Sequence, residues 1–180
     1  MVHHCVIYRD ATLRDADGIS IAHVLSWQES YKGILDDQYL ISLKAESRAQ
    51  MWRDRLQDPN FDGHVIVAEN HDGKIVGFVG VGPSRSEEFP ISQWGEIRAI
   101  YLLKDYKAKG IGRKLFELGR TSLAQSGYQT FFCWVLKDNP SRRFYESVGG
   151  VLSSHEKLIE IGGLPLSEVA YKWTPASACE

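Results

Sequence analysis

The sequence predicts a mixed α+β domain of about six to seven strands and about four helices. Three observations support this. The first sixty residues carry apolar side chains at helical spacing, the middle changes to short β-rich runs, and the last eighty alternate strand, helix, strand, helix, strand, strand. At 180 residues the chain is read as one domain, residues 1–180, large enough to bury a core without disulfide or metal staples.

The elements follow in order. Val6 to Arg9 is a short strand. From Asp15 to Tyr31, Ile19, Ala22, His23, Trp27 and Tyr31 recur at roughly helical spacing, and Gly33 breaks the pattern. A second helix is expected from near Asp36 to Gln57, with Tyr39, Leu40, Leu43, Met51, Trp52 and Leu56 towards the core and Pro59 beyond its end. His64–Glu69 and Lys74–Val81 form a hairpin around Asn70-His71-Asp72-Gly73. Gly82–Gln93, polar with two prolines and two glutamates, reads as an exposed loop. Glu96–Leu103 is a further strand. A helix from Gly110 to about Ser126 puts Ile111, Leu115, Leu118 and Ser122 on one face, and Gly127 ends it. Thr130–Leu136 is almost wholly apolar, as a strand covered on both faces must be. Pro140 opens a short helix that stops at Gly149-Gly150, and Val151–Ile161 and Leu166–Trp173 form a hairpin around Gly162-Gly163.

Composition narrows the function classes. A formal charge of -2 gives no general pull towards nucleic acid or an anionic membrane, so neither is expected as a partner. Cys5, Cys133 and Cys179 lie far apart and show no CxxC spacing, and His3-His4 is too short a run for a metal site, so no metal is expected. The N-terminus lacks signal-peptide character and no run approaches 18 apolar residues, which reads as a reduced, cytoplasmic setting.

The chemistry is concentrated in Lys107-Ala108-Lys109-Gly110-Ile111-Gly112-Arg113-Lys114, where a strand ends and a helix begins at glycine. Helix starts leave backbone N–H groups unpaired and carry partial positive charge, and four basic side chains add local charge that the whole chain lacks. The spacing fits neither the Walker A pattern nor the dinucleotide fingerprint, because Leu115 stands where each would need another residue.

This segment resembles the pyrophosphate-binding motif of the GNAT superfamily of N-acetyltransferases, Gln/Arg-x-x-Gly-x-Gly/Ala, with Lys107 in the first position. Asp138-Asn139-Pro140-Ser141-Arg142-Arg143-Phe144-Tyr145 resembles that family's Asn-x-x-Ala-x-x-Phe-Tyr helix. Counted back from Phe144-Tyr145, the family asparagine falls on Asp138, and Asn139 is one place late. Trp27-Gln28-Glu29-Ser30-Tyr31-Lys32-Gly33 is similar to the acceptor-side helix of small bacterial members.

The resemblance implies a central twisted mixed sheet and a cleft where Glu96–Leu103 and Thr130–Leu136 splay apart to hold acetyl-CoA. It places the pantetheine arm against Ile100 and Leu102 and the pyrophosphate on the loop amides of Lys107, Ala108, Lys109, Gly110, Ile111, Gly112 and Arg113. Asp138, Asn139 and Ser141 are further cofactor-side candidates. Tyr145 is the candidate general acid and also a pantetheine contact, Glu96 the candidate base, and Trp27 and Tyr31 the candidate acceptor contacts. Cys133 reads as a buried thiol, and Arg142 and Arg143 as either phosphate contacts or solvated cations. The partners implied are acetyl-CoA and an amine acceptor, and homodimers are common in that superfamily. The sequence leaves open a small-molecule acceptor, a protein N-terminus or lysine, and a non-catalytic acetyl-CoA sensor.

Overall fold

The computed structural model describes residues 6–175; His3, His4, Cys5 and Cys179 lie outside the described residues. One seven-stranded sheet runs in the order β1-β2-β3-β4-β5-β7-β6. Its strands are β1 (Val6–Asp10), β2 (His64–Asn70), β3 (Ile75–Pro83), β4 (Trp94–Leu102), β5 (Thr130–Leu136), β6 (Val151–Ile161) and β7 (Leu164–Trp173). The helices are α1 (Ala16–Ser30), α2 (Asp37–Ser42), α3 (Ala45–Gln57), α4 (Ile111–Gln125) and α5 (Arg142–Ser147). Every neighbouring pair is antiparallel except β4 and β5.

β3 explains how the layers form. Its residues are buried from Ile75 to Gly82 because helices cover both faces. Phe78 points to α1 and α3, its ring 5.2 Å from Trp52 and 6.0 Å from His23. Val79 and Val81 point the other way, against α4. There a Cβ on Gly119 would come within 3.1 Å of both valines, so a side chain would press them back by a few tenths of an ångström. The glycine lets α4 lie close on the sheet.

Two expectations need correction. The single helix over 36–57 is two helices, because Leu43 and Lys44 are extended (ψ 122° and 137°). No proline or glycine marks the break. The halves bury against different clusters, Leu40 with Tyr31, Leu35 and Leu136, and Trp52 in the main cluster against Phe78 of the sheet. The extended pair moves the chain from one cluster to the other. The polar loop after β3 is also less exposed than its composition predicts. Gly82 and Pro83 still belong to β3, and Phe89 is buried, stacked on Phe132 with centroids 4.0 Å apart. One aromatic residue thus pins the segment to the sheet.

Candidate active-site cleft

The site begins with a failure of strand pairing. β4 and β5 pair only over Trp94–Glu96 with Thr130–Phe132. Beyond that, β4 stays with β3 and β5 with β7, so their facing edges part. A register shift in β4 opposite Gly80 and Val81 leaves Arg98 as an extra residue, and such a bulge bends a strand and increases its twist. Leu103 donates to Val76 O at 2.9 Å, across from β3. By strand alternation Ile100 and Leu102 therefore turn their N–H and C=O into the gap. A cleft of about 770 Å³ runs through it.

At one end of the cleft lies the start of α4. Gly110 caps it in the left-handed region (φ 80°) with no side-chain cap hydrogen bond. Nothing lies within 4 Å of where its Cβ would be, so conformation rather than space favours glycine there. Ala108 also has positive φ, 58°, which is unusual for a residue with a side chain. The first intrahelical bond of this turn runs from Lys114 N to Gly110 O, so the amides of Ile111, Gly112 and Arg113 have no helical acceptor. Those three amides beside Lys107 and Arg113 suit a phosphate-bearing group. Ser26 Oγ and Trp134 Nε1 are buried without a partner among the described residues, and both residues line the same cleft.

The structure brings most of the expected residues to the cleft: Trp27, Tyr31, Glu96, Ile100, Leu102, Lys107, Ala108, Gly110, Gly112, Arg113, Asn139, Ser141 and Tyr145 all line it. Lys109 and Ile111 do not; the Ile111 side chain is in the core, and the Lys109 ammonium lies over the Tyr106 ring. Asp138 is exposed and off the cleft, whereas Asn139 is buried on it, its Oδ1 accepting from Ser141 N at 2.8 Å. Lys107 is paired with Glu29 at 3.1 Å, and Arg113 donates to Ser147 O at 3.0 Å. Arg142 is a structural tie, donating to Lys137 O at 2.8 Å and Tyr171 Oη at 3.1 Å.

In the middle of the cleft, burial raises the Tyr145 hydroxyl well above its ordinary range, with Cys133 beside it adding to the shift. The Cys133 thiol is pushed up for the same reason. Trp27 Nε1 donates to Tyr101 Oη at 2.9 Å, and Tyr31 contacts both Tyr101 and Asn139. Glu96 is buried and held by Arg85, whose Nη2, Nε and backbone N donate at 2.7, 3.0 and 3.1 Å.

Sequence reasoning missed Arg85, which comes from the loop, and Glu168 on β7. Burial raises the Glu168 carboxyl, Glu96 adds to the shift, and Lys157 opposes it from 3.4 Å. A lone carboxylate ahead of the apolar Val169-Ala170-Tyr171 was a readable signal, whereas nothing in the loop singled out Arg85.

Comparison with known proteins follows the same lines. The acetyltransferase (GNAT) family model matches residues 24–150. A Bacillus subtilis (strain 168) protein described as uncharacterized N-acetyltransferase YuaI is 36% identical over 173 residues, spanning 96% of this chain and 95% of that protein. An uncharacterized N-acetyltransferase of Archaeoglobus fulgidus is 31% identical over 120 residues, spanning 66% of this chain and 78% of that one. The fold matches PaiA N-acetyltransferase of Thermoplasma acidophilum, solved with coenzyme A, with TM-score 0.73 at 18% identity over 94% of this chain and 99% of that one. YncA of Salmonella typhimurium, solved with acetyl-CoA, gives 0.69 at 16% identity over 98% and 97%.

Proposed function

This chain belongs to the acetyltransferase (GNAT) family, and on that premise we propose that it is an acetyl-CoA-dependent N-acetyltransferase whose acceptor is a small primary amine attacking the thioester directly. The observation that carries this reading is the parting of β4 from β5, with a helix start whose first amides lack helical acceptors at one end and a buried tyrosine and two carboxylates along it. Bound acetyl-CoA would supply an activated acyl carbonyl and a thiolate leaving group.

The chain's own residues do the rest. The amides of Ile111, Gly112 and Arg113, with the loop from Lys107, hold the pyrophosphate. Ile100 and Leu102 offer their outward N–H and C=O to the pantetheine amides as an edge strand does. The Leu102 N–H stabilises negative charge developing on the carbonyl oxygen. Tyr145 stays protonated at neutral pH and donates to the departing sulfur. Trp27 and Tyr31 wall the acceptor end.

A lysine-like amine has a free pKa near 10.4, so presenting it neutral at pH 7 costs roughly 4–5 kcal/mol. Glu96 takes that proton through water. Arg85 uses three of the roughly four acceptor positions on its carboxylate, which leaves about one for the water. A second reading assigns the proton to Glu168, and its raised carboxyl favours this, because a base titrating closer to neutrality is the better catalyst.

A small acceptor is supported by the hairpin that packs across one side of the cleft. Ile159, Ile161 and Leu166 of the β6–β7 hairpin pack with Tyr39, Leu40 and Leu136, and Gly162 at the hairpin tip lies against the Tyr39 ring. That bridge obstructs the open-ended groove that a peptide needs. The test is thiol release from acetyl-CoA with small amines and with lysine-containing peptides, using wild type, Glu96→Gln and Glu168→Gln. Small amines should be preferred, and the variant lacking the base should lose the acid limb of the kcat/KM pH profile. Equal turnover of peptides would overturn the small-acceptor reading.

A further inference from the structure

A second chamber of about 230 Å³ opens beside the cleft, bounded by α1, α3, β3 and β4. Trp27, Arg85, Arg98, Ala99 and Tyr101 line both spaces, so one molecule at the acceptor end can reach into each. The charge of the chamber is one-sided. Arg48, Arg55, Arg85 and Arg98 line it, and no aspartate or glutamate does.

Two of these cations are neutralised from outside the chamber, Arg98 by Asp62 at 2.8 Å and Arg85 by Glu96 at 2.7 Å. Arg48 and Arg55 make no ion pair among the described residues. The Arg48 guanidinium lies over the Trp27 ring at 5.0 Å, and that of Arg55 over Trp52 at 5.0 Å and Phe61 at 5.7 Å. Stacking uses the face of a guanidinium and leaves its in-plane N–H donors free. The crowding has a cost: burial, then Arg85 and Arg98, lower the Arg55 pKa, and burial, then Arg48 and Arg55, lower that of His23 to about 3.

Uncoordinated polar atoms gather at the same place. Trp52 is 2% exposed and His23 7%, yet Trp52 Nε1, His23 Nδ1 and Arg98 Nε have no hydrogen-bond partner among the described residues. All three residues line the chamber. The feature that suits an anion is the pair of guanidiniums without ion-pair partners among the described residues, in a chamber that no carboxylate lines.

We propose that this chamber receives the anionic end of the acceptor, which makes the substrate a small primary amine carrying a carboxylate or a phosphorus oxyanion. The inference rests on the acetyltransferase reading above and narrows its acceptor. Guanidinium edges match the paired oxygens of both anions, and the chamber is several times the roughly 30 Å³ share of a water molecule. A polyamine would instead bring more positive charge beside Arg48 and Arg55.

Two measurements test it on the intact chain. Inorganic phosphate is titrated into CoA-saturated protein by calorimetry, for wild type, Arg48→Gln and Arg55→Gln, with unchanged circular dichroism as the check on folding. Saturable binding should weaken on the order of tenfold or more in each variant, the loss expected for a charge-assisted hydrogen bond, while CoA affinity holds. Thiol release from acetyl-CoA then compares L-amino acids with their α-amides, and 2-aminoethylphosphonate with ethylamine and spermidine. Anionic amines should show at least tenfold higher kcat/KM, with the better of the carboxylate and phosphonate series identifying the anion, and both variants should raise KM more than they lower kcat. Phosphate binding that is absent or equal in the variants, or turnover of amides or spermidine at the rate of the anionic amines, would overturn the proposal. Failure to bind CoA would instead fault the acetyltransferase reading, and the phosphate titration still runs without CoA.

Discussion

His23 should make the fold acid-sensitive. Its imidazole is buried among Trp27, Trp52, Phe78 and Tyr101, and burial together with Arg48 and Arg55 lowers its pKa from 6.5 to about 3. The unfolded chain takes up this proton near pH 6.5, and the folded chain refuses it until about pH 3. Between those values the unfolded state binds more protons, so the contribution of His23 is present above pH 6.5 and is lost as pH falls. At pH 5, one and a half units below the ordinary value, the loss is about 2 kcal/mol at 1.36 kcal/mol per unit. The perturbation is His23→Phe, which keeps an aromatic ring and removes the titration. The assay is urea unfolding of both proteins at pH 7 and pH 5. Comparing each protein with itself cancels the intrinsic effect of the substitution and the titration of distant groups. Wild type should lose about 2 kcal/mol more than the variant over that interval. Equal losses would refute the claim that His23 is held neutral.

Two further outcomes follow from the same structure. Tyr145→Phe keeps the buried ring and removes the proton donor, so kcat should fall by roughly 10²-fold or more while acetyl-CoA affinity measured by calorimetry stays within a few-fold; an unchanged kcat would remove Tyr145 from the chemistry. Phe89→Ala deletes the ring stacked on Phe132 and should cost about 3–5 kcal/mol in urea unfolding, a loss that a solvated loop residue would not produce.

The sequence carried the architecture where local chemistry and tertiary context agree. The apolar run of β5, the turn after β2 and the strand–glycine–helix junction at Lys107–Arg113 each have one physical reading, and the structure has the elements where those readings put them. It misled where a single residue answers to distant partners. Leu43 and Lys44 have no helix-breaking chemistry, and the break there exists because α2 and α3 pack on different clusters. Phe89 sits in a polar context and is buried because Phe132, Trp94, Trp134 and His155 surround it. Motif spacing put the family asparagine on Asp138, but the local turn buries Asn139 and leaves Asp138 in solvent. The arginine chamber had a faint trace: Arg48, Trp52 and Arg55 fall at i, i+4 and i+7 along one helix stripe. That both arginines would lack ion-pair partners among the described residues could be learned only from the packing of α3 against β3 and β4.

The central claim is that the parted strands and the α4 start form an acetyl-CoA site, and calorimetry with acetyl-CoA and, separately, with CoA tests it most directly. Gly110→Glu adds a carboxylate where the α4 amides gather and forces a side chain into left-handed backbone. Micromolar binding by wild type that weakens by tenfold or more in this variant is the predicted result. A well-folded wild-type protein that binds neither compound would contradict the account.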